Sequence, residues 1–105
     1  MGKAEKIEQR WRQGALKDVP ERDVLLVLEA NGFSLRRDRN HHWLAKHALL
    51  VGHPEFGAGN KQGGRVKINC HHRGKARTVH PLAVKDVLKA LDFIRSKEKE
   101  QEDET

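Results

Sequence analysis

Apolar residues recur along this chain with two different periods, and the changes of period outline its elements. Ile7 and Trp11 stand four apart in a charged stretch from Lys3 to Gln13, which predicts a short amphipathic helix ended near Gly14. Asp18 then offers an N-cap, with Pro20 in the first turn and Glu21 three residues on, as a capping box arranges them. Val24, Leu25, Val27 and Leu28 form the buried stripe of the following helix, about residues 19–31, and Asn31-Gly32 is its C-cap signal.

Beyond Gly32 the period shortens to two. Phe33, Leu35 and Arg37 alternate with Ser34 and Arg36, so a first strand with one face inward is expected. Residues 38–42 make a polar turn. A second strand is expected from near His42 toward Val51, although Leu44 to Leu50 would also tolerate helix. Five glycines and Pro54 make residues 52–64 a long loop, a kind of segment that often carries function. Val66, Ile68 and Cys70 alternate with Lys67 and Asn69 in another strand, Arg73-Gly74 turns the chain, and Ala76 to Val79 returns as a short strand or extended segment. The helical period comes back with Val84, Val87, Leu88, Leu91 and Ile94, with Lys85, Asp86, Lys89 and Asp92 on the wet face. Helix, helix, strands, helix is the order of an α+β fold with helices on one face of a two- or three-stranded antiparallel sheet.

Composition narrows the class. At 105 residues, 36% apolar and 34% charged, the chain has room for one modest core. No apolar run approaches the roughly 18 to 20 residues of a membrane span, and Met1 to Lys6 lacks the apolar centre of a signal peptide. With Cys70 the only cysteine, no internal disulfide can form, and a cytoplasmic protein is expected. The net charge of +6 is uneven: residues 96–105 hold two lysines and five acids, a net of −3, which leaves +9 for residues 1–95. Residues 1–95 therefore read as one basic domain with a polyanion as partner, most simply nucleic acid, and 96–105 as a charged tail, a frayed helix end or disordered.

Seven histidines and Cys70 raise a zinc reading, but Cys70-His71-His72 and the His42/His47 pair lack the paired-ligand spacing of zinc modules, so no metal site is expected. No nucleophile elbow surrounds a serine. The glycines at 57, 59, 63 and 64 lack the G-K-[ST] ending of a phosphate loop. What remains is imidazole chemistry in a positive field. His41 and His42 sit in the polar turn just after Arg36, Arg37 and Arg39, so a phosphate-bearing ligand would meet charge and a proton carrier together.

Leu28-Glu29-Ala30-Asn31-Gly32-Phe33, followed by Leu35-Arg36-Arg37 and the His41-His42 turn, resembles the HicA (YcfA-like) family of messenger-RNA interferase toxins. There a helix ending in a Gly-aromatic step leads through a basic strand to a Gly-Ser-His or Asn-His turn. Gly74-Lys75-Ala76-Arg77 and Val84-Lys85-Asp86-Val87-Leu88 resemble the family's closing basic turn and last helix, so the resemblance spans about residues 5–95. It implies a double-stranded-RNA-binding-like fold with helices on one face of a three-stranded antiparallel sheet. It also implies metal-independent, cofactor-free cleavage of messenger RNA, neutralised by a HicB-like antitoxin. The catalytic histidine carries over to His41. Arg36, Arg37, Arg39, His42, Lys75 and Arg77 would bind RNA, holding phosphate and offsetting transition-state charge. The rival expectation is a non-catalytic nucleic-acid-binding or protein-interaction domain that retains the fold.

Overall fold

The computed structural model describes residues 2–37, 42–50, 64–68, 70–73 and 76–103. The first helix, α1, covers Lys3–Arg12 and buries Ile7 and Trp11, as their spacing predicts. Its end is a Schellman motif. The Ala15 amide donates to the Arg10 carbonyl and the Gly14 amide to the Trp11 carbonyl, with Gly14 at φ +102° where other residues are strained.

The next helix differs from expectation at its start. Val19–Pro20 form a two-residue strand, β1, and α2 covers only Glu21–Ala30, with Pro20 extended at the N-cap position and no side-chain cap. The cause is local: a proline disfavours helical backbone in the residue before it, so Val19 stays extended and joins a sheet instead of a capping box. Asp18, the expected cap, sits at φ 53°. The far end of α2 follows its Asn31-Gly32 signal. Phe33 and Gly32 amides donate to the Leu28 and Glu29 carbonyls, and Asn31 Nδ2 donates to the Val27 carbonyl at 2.8 Å.

Strands β2 (Ser34–Arg37), β3 (Trp43–Lys46) and β4 (Arg65–Ile68) make one antiparallel sheet in the order β2-β3-β4. The second strand stops at Lys46, well short of Val51, because His47 turns the chain. The Leu49 amide donates to His47 Nδ1 at 3.1 Å and the Leu50 amide to its carbonyl, which starts the 3-10 turn Ala48–Leu50. Leu50 is fully buried, and a Cβ at Gly64 would overlap it, so only glycine fits where the chain re-enters β4.

The strand expected over Val66–Cys70 is divided between two sheets. β5 (Cys70–Arg73) pairs with β6 (Ala76–Val79), and β6 pairs with β1, giving a second antiparallel sheet in the order β1-β6-β5. The expected three-stranded sheet is therefore present as β2-β3-β4, and the second sheet was not foreseen. The loop expected over 52–64 and the turn at Gly74 fall almost wholly outside the described residues.

Helix α3 runs from Pro81 to Asp103. It starts three residues earlier than its apolar stripe, with His80 as N-cap: the Leu82 amide donates to His80 Nδ1 at 3.1 Å, and proline fills the first helical position. Val84, Val87, Ala90, Leu91 and Ile94 are buried, and the charged segment after Ile94 continues as helix. One core joins α1, α2 and α3 to the inner faces of both sheets through Val24, Leu28, Ala45, Val66, Ile68 and Val79. The described residues thus form an α+β fold of three helices with antiparallel sheets.

Candidate nucleic-acid interface

The register of the β2-β3-β4 sheet sorts its charges by face. Leu35, Ala45 and Val66 lie in one row across the strands, and Arg37, Trp43 and Ile68 in the next row of the same parity. Ala45, Val66 and Ile68 are buried, so this is the inner face. The alternate rows, Ser34-Lys46-Arg65 and Arg36-Leu44-Lys67, form the outer face. Arg36 and Arg37, adjacent in sequence, thus belong to opposite faces. Arg37 lies at the rim of the inner face with its guanidinium 5.2 Å from the centre of the Trp43 ring, a cation–π arrangement. Arg36 is exposed on the outer face.

That outer face holds residues the sequence reading missed. Lys46, Arg65 and Lys67 join Arg36 there, so four of six outward positions are cationic and none is acidic. Arg36 and Lys67 are exposed, and Lys46 and Arg65 are half-buried. The signal was the alternation itself, but it needs the strand pairings, because the three residues are 10 to 31 positions from Arg36.

The other expected RNA contacts are distributed unevenly. His41, Arg39 and Lys75 lie outside the described residues. His42 sits just before β3, and the Cys70 amide donates to its Nδ1 at 3.1 Å. That bond requires an unprotonated Nδ1 and leaves Nε2 as the ring's other nitrogen. His42 therefore ties the start of β3 to the start of β5. Arg77 on β6 forms an ion pair with Glu21 at 2.7 Å, with the Arg77 side chain 26% exposed, so its charge is offset within the fold. Cys70 lies beside this pair. Burial first, and Glu21 second, push its thiol up to about 11, which makes it an inert core residue instead of a nucleophile.

His42, His47 and His80 share one role: each accepts a backbone amide hydrogen on Nδ1 at the start of an element. The imidazoles whose side chains are described are thus used in building the fold. Among the described residues, no group of three or more His, Cys, Asp or Glu is placed to hold a metal ion, and no helix is long and apolar enough to cross a membrane.

A second charged cluster lies on the helical side, and nothing in local spacing announced it. Glu8 of α1 is buried and accepts two bonds from Arg95 of α3, at 2.6 and 2.7 Å, and one from Arg12 Nε at 2.9 Å. Arg12 also binds Asp92 at 2.8 Å. The hydrogen bonds from Arg95 outweigh burial and, with those from Arg12, hold the Glu8 carboxyl below its ordinary value. Asp92 raises Arg12 and Glu8 raises Arg95. A carboxylate held ionised between two guanidiniums is a poor proton carrier and a good clamp between α1 and α3. Against this geometry stands no outside guide: no family model matches the chain, and no curated protein or solved structure matches it either.

Proposed function

We propose that this protein is an RNA-binding, toxin-like protein that cleaves messenger RNA with His41 as general acid/base, on a double-stranded-RNA-binding-like arrangement of helices and sheet. The observation that carries this reading is the register of β2 on β3. Arg37 pairs with Trp43, so the connection bearing Arg39 and His41 joins two paired strands, entered from Arg36 and Arg37 and left through His42. A basic strand feeding an imidazole-bearing hairpin is the arrangement that the resemblance to HicA toxins implies. In the cell it would act in the cytoplasm, with a HicB-like antitoxin as its protein partner.

The chemistry needs little else. His41 takes the proton of a ribose 2′-hydroxyl, the 2′-oxygen attacks the adjacent phosphorus, and the bond to the 5′-oxygen breaks. That oxygen leaves with a proton from water, giving a cyclic phosphate and a 5′-hydroxyl. Such proton transfer contributes about 10² to 10⁴-fold in rate. Arg37, Arg39 and Lys75 stabilise the charge that grows on the phosphoryl oxygens.

Expression of wild type and His41→Ala, scored for growth arrest and messenger-RNA decay, tests this directly. Wild type should arrest growth and degrade message, and the variant should lose about 10² to 10⁴-fold of the cleavage rate. An inactive wild type, or a variant as active as wild type, sinks the catalytic reading. A second reading, a non-catalytic nucleic-acid-binding or protein-interaction domain, draws on one observation: His42, the neighbouring imidazole, has its Nδ1 committed to the Cys70 amide. On that reading RNA or protein binding survives His41→Ala and no cleavage is seen in either form.

A further inference from the structure

The outer face of the β2-β3-β4 sheet has no role in the hairpin chemistry, yet four of the six outward positions on its strands are cationic. We propose that this face is a separate track for the phosphate backbone of RNA, gripped by Arg36, Lys46 and Lys67 with Arg65 beside them. The proposal rests on the RNA reading above and adds where the bulk of the substrate lies.

Three features favour phosphate over other occupants. Outward positions in the two rows are Ser34, Lys46 and Arg65, then Arg36, Leu44 and Lys67, so no carboxylate on these strands competes for the cations. Neighbouring strands stand about 4.8 Å apart and alternate residues along a strand about 6.8 Å apart. The cations are thus spread about 10 Å across the sheet, wide enough for successive phosphates. None of the six outward residues on these strands is aromatic, so the strands offer bases no stacking platform and sequence readout is not expected. Trp43, the aromatic residue of these strands, is on the opposite face under Arg37. Binding here should be sequence-tolerant and dominated by release of counterions.

The test is fluorescence anisotropy of the full chain, carrying His41→Ala so that the probe survives. It uses an RNA duplex of about 16 base pairs and a single strand of the same length, at 50 and 200 mM salt. The comparison is between K46A/K67A and K3A/K6A, which removes the same charge from the exposed side of α1. Losing two phosphate contacts removes about 1.8 from the slope of log affinity against log salt on a duplex. K46A/K67A should then lose about 12-fold less affinity than its parent across that salt range, and about 7-fold less on a single strand, where each contact counts about 0.7. K3A/K6A should keep the parental slope.

A parent that binds RNA while K46A/K67A keeps its affinity and slope overturns the track and leaves the hairpin reading standing. Equal losses in both double variants reduce the effect to net charge and also overturn it. Polyglutamate competing as well as RNA of equal charge reassigns the face to an acidic protein. A parent that binds no RNA at 50 mM salt removes the RNA reading itself, and this inference with it.

Discussion

The helical side and the sheet side of this molecule use cations in opposite ways. Between α1 and α3, Arg12 and Arg95 are matched by Glu8 and Asp92, every charge has an opposite neighbour within 3 Å, and the central carboxylate is buried. On the outer face of β2-β3-β4, four cations share six positions with no acid at all. Residues 1–95 carry a net +9, and these two regions handle their share of it differently. Charges that hold helices together cancel, whereas Arg36, Lys46 and Lys67 share a sheet face whose strands bear no acid. Like charges on one face repel, so the sheet side is arranged at some cost in stability, and an external polyanion would relieve it.

Breaking the paired side should have the largest effect on folding. Removing one partner of a buried ion pair costs about 3 to 5 kcal/mol, but Arg12 and Arg95 are 36% and 45% exposed and can return partly to water. Glu8→Ala should therefore cost about 1 to 3 kcal/mol in urea denaturation. It should leave RNA affinity within a factor of two of wild type. An unchanged urea midpoint would show that the clamp contributes nothing net.

Acid should dissolve the same clamp. The Glu8 carboxyl titrates below its ordinary 4.5 in the folded protein, so the stability it brings is complete above about pH 4.5 and is lost as pH falls through the lower folded value. Measured from pH 7 downward, the gap in stability between wild type and Glu8→Ala should stay constant to about pH 5 and then shrink. A gap that is constant to pH 2, or widens in acid, would contradict the assignment of that carboxyl to the clamp.

How much of this was legible in the chain follows from the range of each interaction. Periodicity showed α1, α3, the body of α2 and the inner sheet face, because Ile7/Trp11, Val84 to Ile94 and Val66/Ile68 repeat within one element. The start of α2 was misread since the capping pattern and the proline rule conflict at Val19, and the proline rule won. The second sheet was hidden because β1 has only two residues and exists through its partner β6. Glu8 and Arg95 lie 87 residues apart, and no local spacing encodes such a pair. At the candidate site, Arg36, Arg37, His42 and Arg77 were noticed as charges, but their faces and partners required the register. Arg77 then proved to be matched by Glu21, whereas Lys46 and Lys67 emerged beside Arg36.

The finest test of the contrast compares two adjacent residues that alternation places on opposite faces. Arg37 rests over Trp43 at the rim of the inner face, and such a contact at a partly exposed site is worth about 0.5 to 1 kcal/mol. Among the described residues Arg36 meets no aromatic ring, and it stands beside like charges. Arg37→Ala should thus lower stability by about 0.5 to 1 kcal/mol, while Arg36→Ala should change it by less than about 0.5 kcal/mol, and in the stabilising direction at low salt. The two should exchange rank in RNA binding on the His41→Ala background. Arg36→Ala removes one contact of the outer track and about 0.9 from the salt slope, whereas Arg37 belongs to the hairpin and bears mainly on cleavage. Equal stability losses for both arginines would mean that β2 does not hold the register seen here, and the division into an apolar inner face rimmed by Arg37 and a cationic outer face would go with it.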